Sequence, residues 1–152
     1  MSPGEQREAF QTALREGLEG ACGLEVVQAV HERLTAKIEE HRETKDLEPL
    51  AVTARDVAAI LLDCGAEEAQ VEAFCAKCGE LFGEGAALNP TNLIDSRRFE
   101  VKTADAAISL DPEHSYLVET RMIDGKKYLL IPAGEGLEVN GMLVDWIHTD
   151  SE

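Results

Sequence analysis

Positive charge is scarce in this chain. Its 152 residues carry 14 Lys+Arg against 30 Asp+Glu, a formal net charge of -16. Such a balance repels phosphate instead of releasing its counterions, which excludes a nucleic-acid backbone or an anionic membrane surface as partner. The deficit is also even. Residues 1–49 hold 6 basic and 11 acidic side chains, residues 50–95 hold 2 and 8, and residues 96–152 hold 6 and 11. No basic patch hides inside the acidic average. Long apolar runs are missing as well: nothing approaches the roughly 18 residues of a membrane-spanning helix. The first residues lack a basic stretch followed by an apolar one, so no secretory signal is expected. The four cysteines, Cys22, Cys64, Cys75 and Cys78, then read as reduced thiols in a cytoplasmic compartment. Aromatic residues make up only 5% of the chain, yet 44% hydrophobic and 29% charged residues is globular composition. The length suits one domain or two small ones.

What is present is clear patterning. Ser2, Pro3 and Glu5 form a helix start with a capping box. Ala9, Phe10, Ala13, Leu14 and Leu18 follow at helical spacing, and Gly20 to Gly23 ends the run. A second helix carries Leu24, Val27, Val30, Leu34 and Ile38 on one side, so the two helices are expected as an antiparallel hairpin. Leu50 to Val52 reads as a short strand-like crossing. Thr53 to Asp56 repeats the capping logic before a short helix with Val57, Ile60, Leu61 and Cys64, stopped by Gly65. A fourth helix carries Val71, Phe74, Cys75, Cys78 and Phe82, stopped by Gly83, and Asn89 to Asn92 reads as a loop.

After that the apolar period changes to two. Phe99, Val101 and Thr103 alternate with charged residues, and Ala106 to Leu110 follows as a second strand. Leu117 to Ile123 and Lys126 to Ile131 flank Asp124-Gly125, the pair favoured in a type I′ hairpin turn. That turn predicts Val118 opposite Ile131, Thr120 opposite Leu129 and Met122 opposite Lys127. Leu137 to Val139 and Met142 to Ile147 flank Asn140-Gly141 in the same way. The fold class is therefore α+β. About four N-terminal amphipathic helices precede a small antiparallel β meander or barrel of five or six strands. The expected division is a helical region at 1–86, a linker at 87–97, an antiparallel β region at 98–148 and a tail at 149–152.

Motifs for chemistry are sparse. Cys75-Ala76-Lys77-Cys78 has the spacing of a zinc or redox pair. No second such pair supports it, and both cysteines continue the Val71-Phe74-Phe82 stripe, so core packing is the favoured reading. Cys22 and Cys64 are the remaining thiols that a metal site would have to recruit. Thr53 to Phe82 has the outline of a helix-turn-helix, but its acidic second helix has the wrong sign for DNA. His31, His41, His114 and His148 form no metal-binding pair, and His31 is expected at the surface. No calcium loop, phosphate cradle or nucleophile elbow is present. The sequence thus nominates no catalytic residue, no cofactor-binding residue and no metal ligand. A groove between the helical and β regions remains possible, with Glu119, Arg121 and Tyr128 as candidate lining.

Several strings carry a resemblance. Met1 to Gln6, Val52 to Val57, Leu93 to Thr103, Leu117 to Tyr128 and Glu138 to Gly141 resemble a bacterial domain-of-unknown-function family, number four-three-one-seven. The resemblance implies that the chain corresponds to the C-terminal part of a longer cytoplasmic protein. It brings no catalytic or binding residue with it. The leading expectation is a non-catalytic regulatory or protein-interaction module, whose partner is a protein, including a preceding region of the same chain. The alternative is a small-ligand or enzymatic domain with a site between helices and strands.

Overall fold

Most of the helices begin where side chains can satisfy backbone donors that have no partner within the helix. In the computed structural model, which describes residues 1–45 and 47–147, α1 spans Pro3–Leu18. The Glu5 amide donates to Ser2 Oγ at 3.2 Å, and the Ser2 amide donates to Glu5 Oε2 at 2.9 Å. α2 spans Leu24–Thr44. α3 spans Ala54–Asp63 and has the same reciprocal box, between Thr53 and Asp56. α4 spans Glu68–Phe82 and stops at Gly83, whose φ of 100° suits glycine. Asn89 to Asn92, expected as a loop, contains a one-turn helix, α5, at Pro90–Leu93. Its Asn89 side chain caps the Thr91 amide at 3.0 Å. Proline sits at the start of α5, where its missing N–H costs nothing. Val52 pairs with Leu88 in an isolated antiparallel bridge.

The chain divides into two units, residues 1–115 and 116–152. In the first, α1 packs on α4 and α5, α2 on α3 and α5, and α3 on α4. The expected α1–α2 hairpin is therefore not the main contact of either helix. The reason is Gly17. A Cβ there would stand 2.6 Å from Phe74 Cα, so the bare glycine lets α1 approach the α4 backbone directly. Phe10 meets Phe74 edge to face, with ring centroids 6.3 Å apart. Leu34, Val57, Ile60, Leu61 and Val71 complete the core around them. β1 (Phe99–Lys102) and β2 (Ala107–Leu110) form an antiparallel ladder in which Phe99 faces Leu110.

The second unit contains β3 (Glu119–Ile123) and β4 (Lys126–Leu130), then β5 (Glu138–Val139) and β6 (Met142–Leu143). Thr120 faces Leu129 and Met122 faces Lys127, the register set by a two-residue turn. Asp124 at φ 50° and Gly125 at φ 78° are both left-handed, as a type I′ turn requires. The fold is α+β. Its six described strands form three separate two-stranded ladders instead of one meander or barrel. Each strand has five residues or fewer and pairs with its neighbour in sequence. Among the described residues, no helix is long and apolar enough to cross a membrane.

Candidate functional site

α5 packs against both α1 and α2, and beside it the first unit leaves a cleft of about 930 Å³. One wall is a single face of α1, where Arg7, Gln11, Leu14 and Arg15 line the cleft at the spacing i, i+4, i+7 and i+8. Val27, Val30 and His31 of α2 face it, and Leu93 to Asp95 with Arg98 to Glu100 close it. Phe10, Val30, Leu93 and Phe99 are buried and make its apolar lining. Val27, expected in the core, is exposed here because it stands on the cleft instead of beneath it.

His31 was expected at the surface but is buried. Its Nε2 lies 2.7 Å from the Asp95 carbonyl and 3.2 Å from the Arg98 carbonyl. Two carbonyl oxygens can only accept, so Nε2 carries the proton and donates to both. The ring also makes a T-shaped contact with Phe99, centroids 5.3 Å apart. His31 thus fastens the Asp95–Arg98 turn and the start of β1 to α2. A polar side chain tolerates this burial because its donor is satisfied.

The charges around the cleft are unevenly paired. Asp95 accepts from the Arg97 amide at 3.0 Å and from the Arg97 guanidinium at 3.2 Å. The backbone contact is the largest of the influences that hold its carboxyl below the usual carboxylate range. Glu100 has Lys102 at 3.4 Å and Arg98 at 3.7 Å, and Glu16 has Lys77 at 3.6 Å. Arg7 donates through Nη2 to the Ile94 carbonyl at 3.0 Å, while its Nε is buried without a partner. Neither Arg7 nor Arg15 has a carboxylate within 4.0 Å among the described residues. Cys22 also borders the cleft. Burial pushes its thiol up, and the nearby Arg15 offsets that only in part. A protonated thiol and a histidine whose proton is already shared make a binding surface more readily than a nucleophile and its base.

The residues singled out from sequence lie elsewhere. Cys75 and Cys78 are on α4, and Cys78 is buried in the core cluster. Burial pushes the Cys78 thiol up to about 12, so it packs as a small hydrophobe. Brief treatment with iodoacetamide at neutral pH should modify exposed Cys64 first and leave Cys78 intact until the chain unfolds. Peptide mass spectrometry checks this, and an early Cys78 adduct would contradict its burial. α4, the second helix of the helix-turn-helix outline, lies against α1 and α3. Its surface is pinned by Arg55, which grips Glu72 with two hydrogen bonds at 2.9 and 3.3 Å. Arg121 does face Tyr128 across the β3–β4 ladder. Both are exposed, as is Glu119, the ion-pair partner of Arg121. His148 lies outside the described residues.

The cleft residues had one sequence signal. Arg7, Gln11 and Arg15 recur every four residues beside the apolar stripe of α1. Which segment faces that row depends on α5 and on the turn after it, which no local pattern reveals.

No curated protein and no solved structure matches the chain. A family model described as a domain of unknown function, DUF4317, matches residues 1–142, and the chain belongs to that family.

Proposed function

We propose that this domain is a non-catalytic module that docks a protein partner through the hairpins of residues 116–147. One observation carries the reading. Met122, Tyr128, Met142, Leu143 and Trp146 are 64, 43, 66, 76 and 62% exposed. Two-stranded hairpins are marginal in water unless further strands or a helix cover them, and large apolar side chains left exposed on such hairpins suit a surface that a partner covers. Methionine and aromatic residues are the types enriched at protein interfaces. Across residues 116–147 there are 3 basic and 5 acidic side chains, so the fitting partner presents an apolar patch with a basic rim. A further region of a longer chain carrying this domain meets the same requirement. The reading includes a regulatory role and a cytoplasmic location, the latter supported by four free thiols.

The test places a photo-crosslinking amino acid at Tyr128 or Trp146 in cells, with Glu39 on α2 as control. A discrete protein adduct is expected from the hairpin positions alone, and it should vanish in Met122→Arg or Leu143→Arg with helical circular dichroism unchanged. Adducts no stronger than the Glu39 control, or adducts that survive both arginine variants, refute the docking surface.

A further inference from the structure

We infer that the cleft in the first unit is a binding site for a small organic anion, a carboxylate on an apolar body. This goes beyond the docking role and uses none of its residues. The cleft's volume, about 930 Å³, lies at the upper end of the range of small-molecule sites. Its lining divides by chemistry in the way such a ligand requires. Val27 is exposed on the cleft and Cys22 and Ile94 are partly exposed there, above the buried Phe10, Val30, Leu93 and Phe99, and Arg15 offers an exposed guanidinium on the α1 wall.

The charge pairing decides the sign of the ligand. The three carboxylates at the cleft, Glu16, Asp95 and Glu100, each have a cation beside them, and Lys77, Arg97 and Lys102 supply it from outside the lining. Arg7 and Arg15 have no such counter-charge among the described residues. Arg7 has only the Ile94 carbonyl, which orients the guanidinium without neutralising it. Along α1 the two arginines are separated by about 12 Å of helix rise, with Gln11 midway on the same stripe. Arg15 is the primary contact for the anionic group, and Arg7 is the second cation of the row. Guanidinium groups pair with carboxylates through two parallel hydrogen bonds, which fixes orientation as well as charge.

The net charge of -16 opposes the approach of any anion. That field is long-ranged, however, and at physiological salt it is screened beyond about 8 Å. A contact at hydrogen-bond distance from Arg15 is screened far less. The apolar body supplies the remainder of the affinity through burial, so a purely inorganic anion is the poorer ligand.

The experiment titrates the ¹⁵N-labelled 152-residue chain with sodium octanoate and, separately, with 1-octanol, following backbone amides by NMR. Octanoate should give saturable shifts along residues 7–15 and 93–100, and octanol should bind about five-fold or more weakly. Arg15→Glu should weaken octanoate by at least about five-fold and leave octanol unchanged. Lys127→Glu, which alters total charge equally on an exposed strand, should change neither. Arg15→Gln provides the same comparison should the glutamate variant lose its helical fold. Absence of saturable shifts in the two segments, equal affinity for octanoate and octanol, or undiminished octanoate binding in both Arg15 variants would each overturn the site. Shifts confined to residues 116–147 would also overturn it, since they report the hairpin surface alone.

Discussion

Replacing Phe74 with alanine should lower the free energy of unfolding by about 3–5 kcal/mol, the range for a large aromatic lost from a core. Phe74 is fully buried on α4 and meets the Phe10 ring of α1 in a T-shaped contact. Truncation removes the ring and leaves a void between the helices that the chain cannot easily collapse. The backbone atoms of the same residue already touch Gly17 closely, so α1 has little freedom to move inward. A domain of this size has a total stability of roughly 5–15 kcal/mol, and a large share would be lost. Urea unfolding followed by far-ultraviolet circular dichroism measures the change. A loss below about 1.5 kcal/mol would mean that Phe74 is not the centre of the helical core.

The second large effect comes from adding a single methyl group. Alanine is favoured over glycine in a helix by about 1 kcal/mol, and on an exposed face Gly17→Ala would stabilise α1. Here the new Cβ would sit 2.6 Å from Phe74 Cα and 2.8 Å from its amide nitrogen. Backbone cannot rotate away as a side chain can, so α1 must lift off α4 and carry Phe10 with it. Overpacking of this kind costs about 1–3 kcal/mol and sometimes more. We expect a net loss of about 2 kcal/mol. Gly79→Ala on α4 is the matched control. Its nearest neighbour is the flexible Glu84 carboxylate, 3.2 Å away, and the substitution should be neutral or stabilising by up to about 1 kcal/mol. The same urea experiment reads both. Equal signs for the two glycines would remove the close α1–α4 approach.

Local chemistry was readable in the sequence because it is written over three or four residues. The Ser2–Glu5 and Thr53–Asp56 boxes and the Asp124-Gly125 turn all appear as expected. So do the pairs of Thr120 with Leu129 and Met122 with Lys127 that follow from the turn, although the ladder stops at Glu119 and Leu130, one pair short of Val118 and Ile131. Asn89-Pro90 shows the limit of that approach. It is itself a helix start, but four residues with little apolar periodicity resemble a loop until Leu88 and Leu93 are seen buried on either side. Tertiary partners were harder to read. Gly17 looks like an ordinary helical glycine unless Phe74 is known to lie against it. His31 looks like a surface residue unless the Asp95 and Arg98 carbonyls are known to receive its proton. The cleft combines both problems, since its cationic row is local and its opposite wall is not.

The strand pairing has a kinetic consequence. Each ladder joins segments adjacent along the chain, so forming it closes only a short loop, an event of microseconds. Contact between α1 and α4 is different: Gln70 of α4 reaches the Leu18 carbonyl at the end of α1 across 52 residues of chain. Loop-closure entropy rises with the logarithm of that separation, so the helical contact and not the β structure sets the pace of folding. The folding limb of the Phe74→Ala chevron should therefore slow, because the ring belongs to the contact whose formation limits the rate.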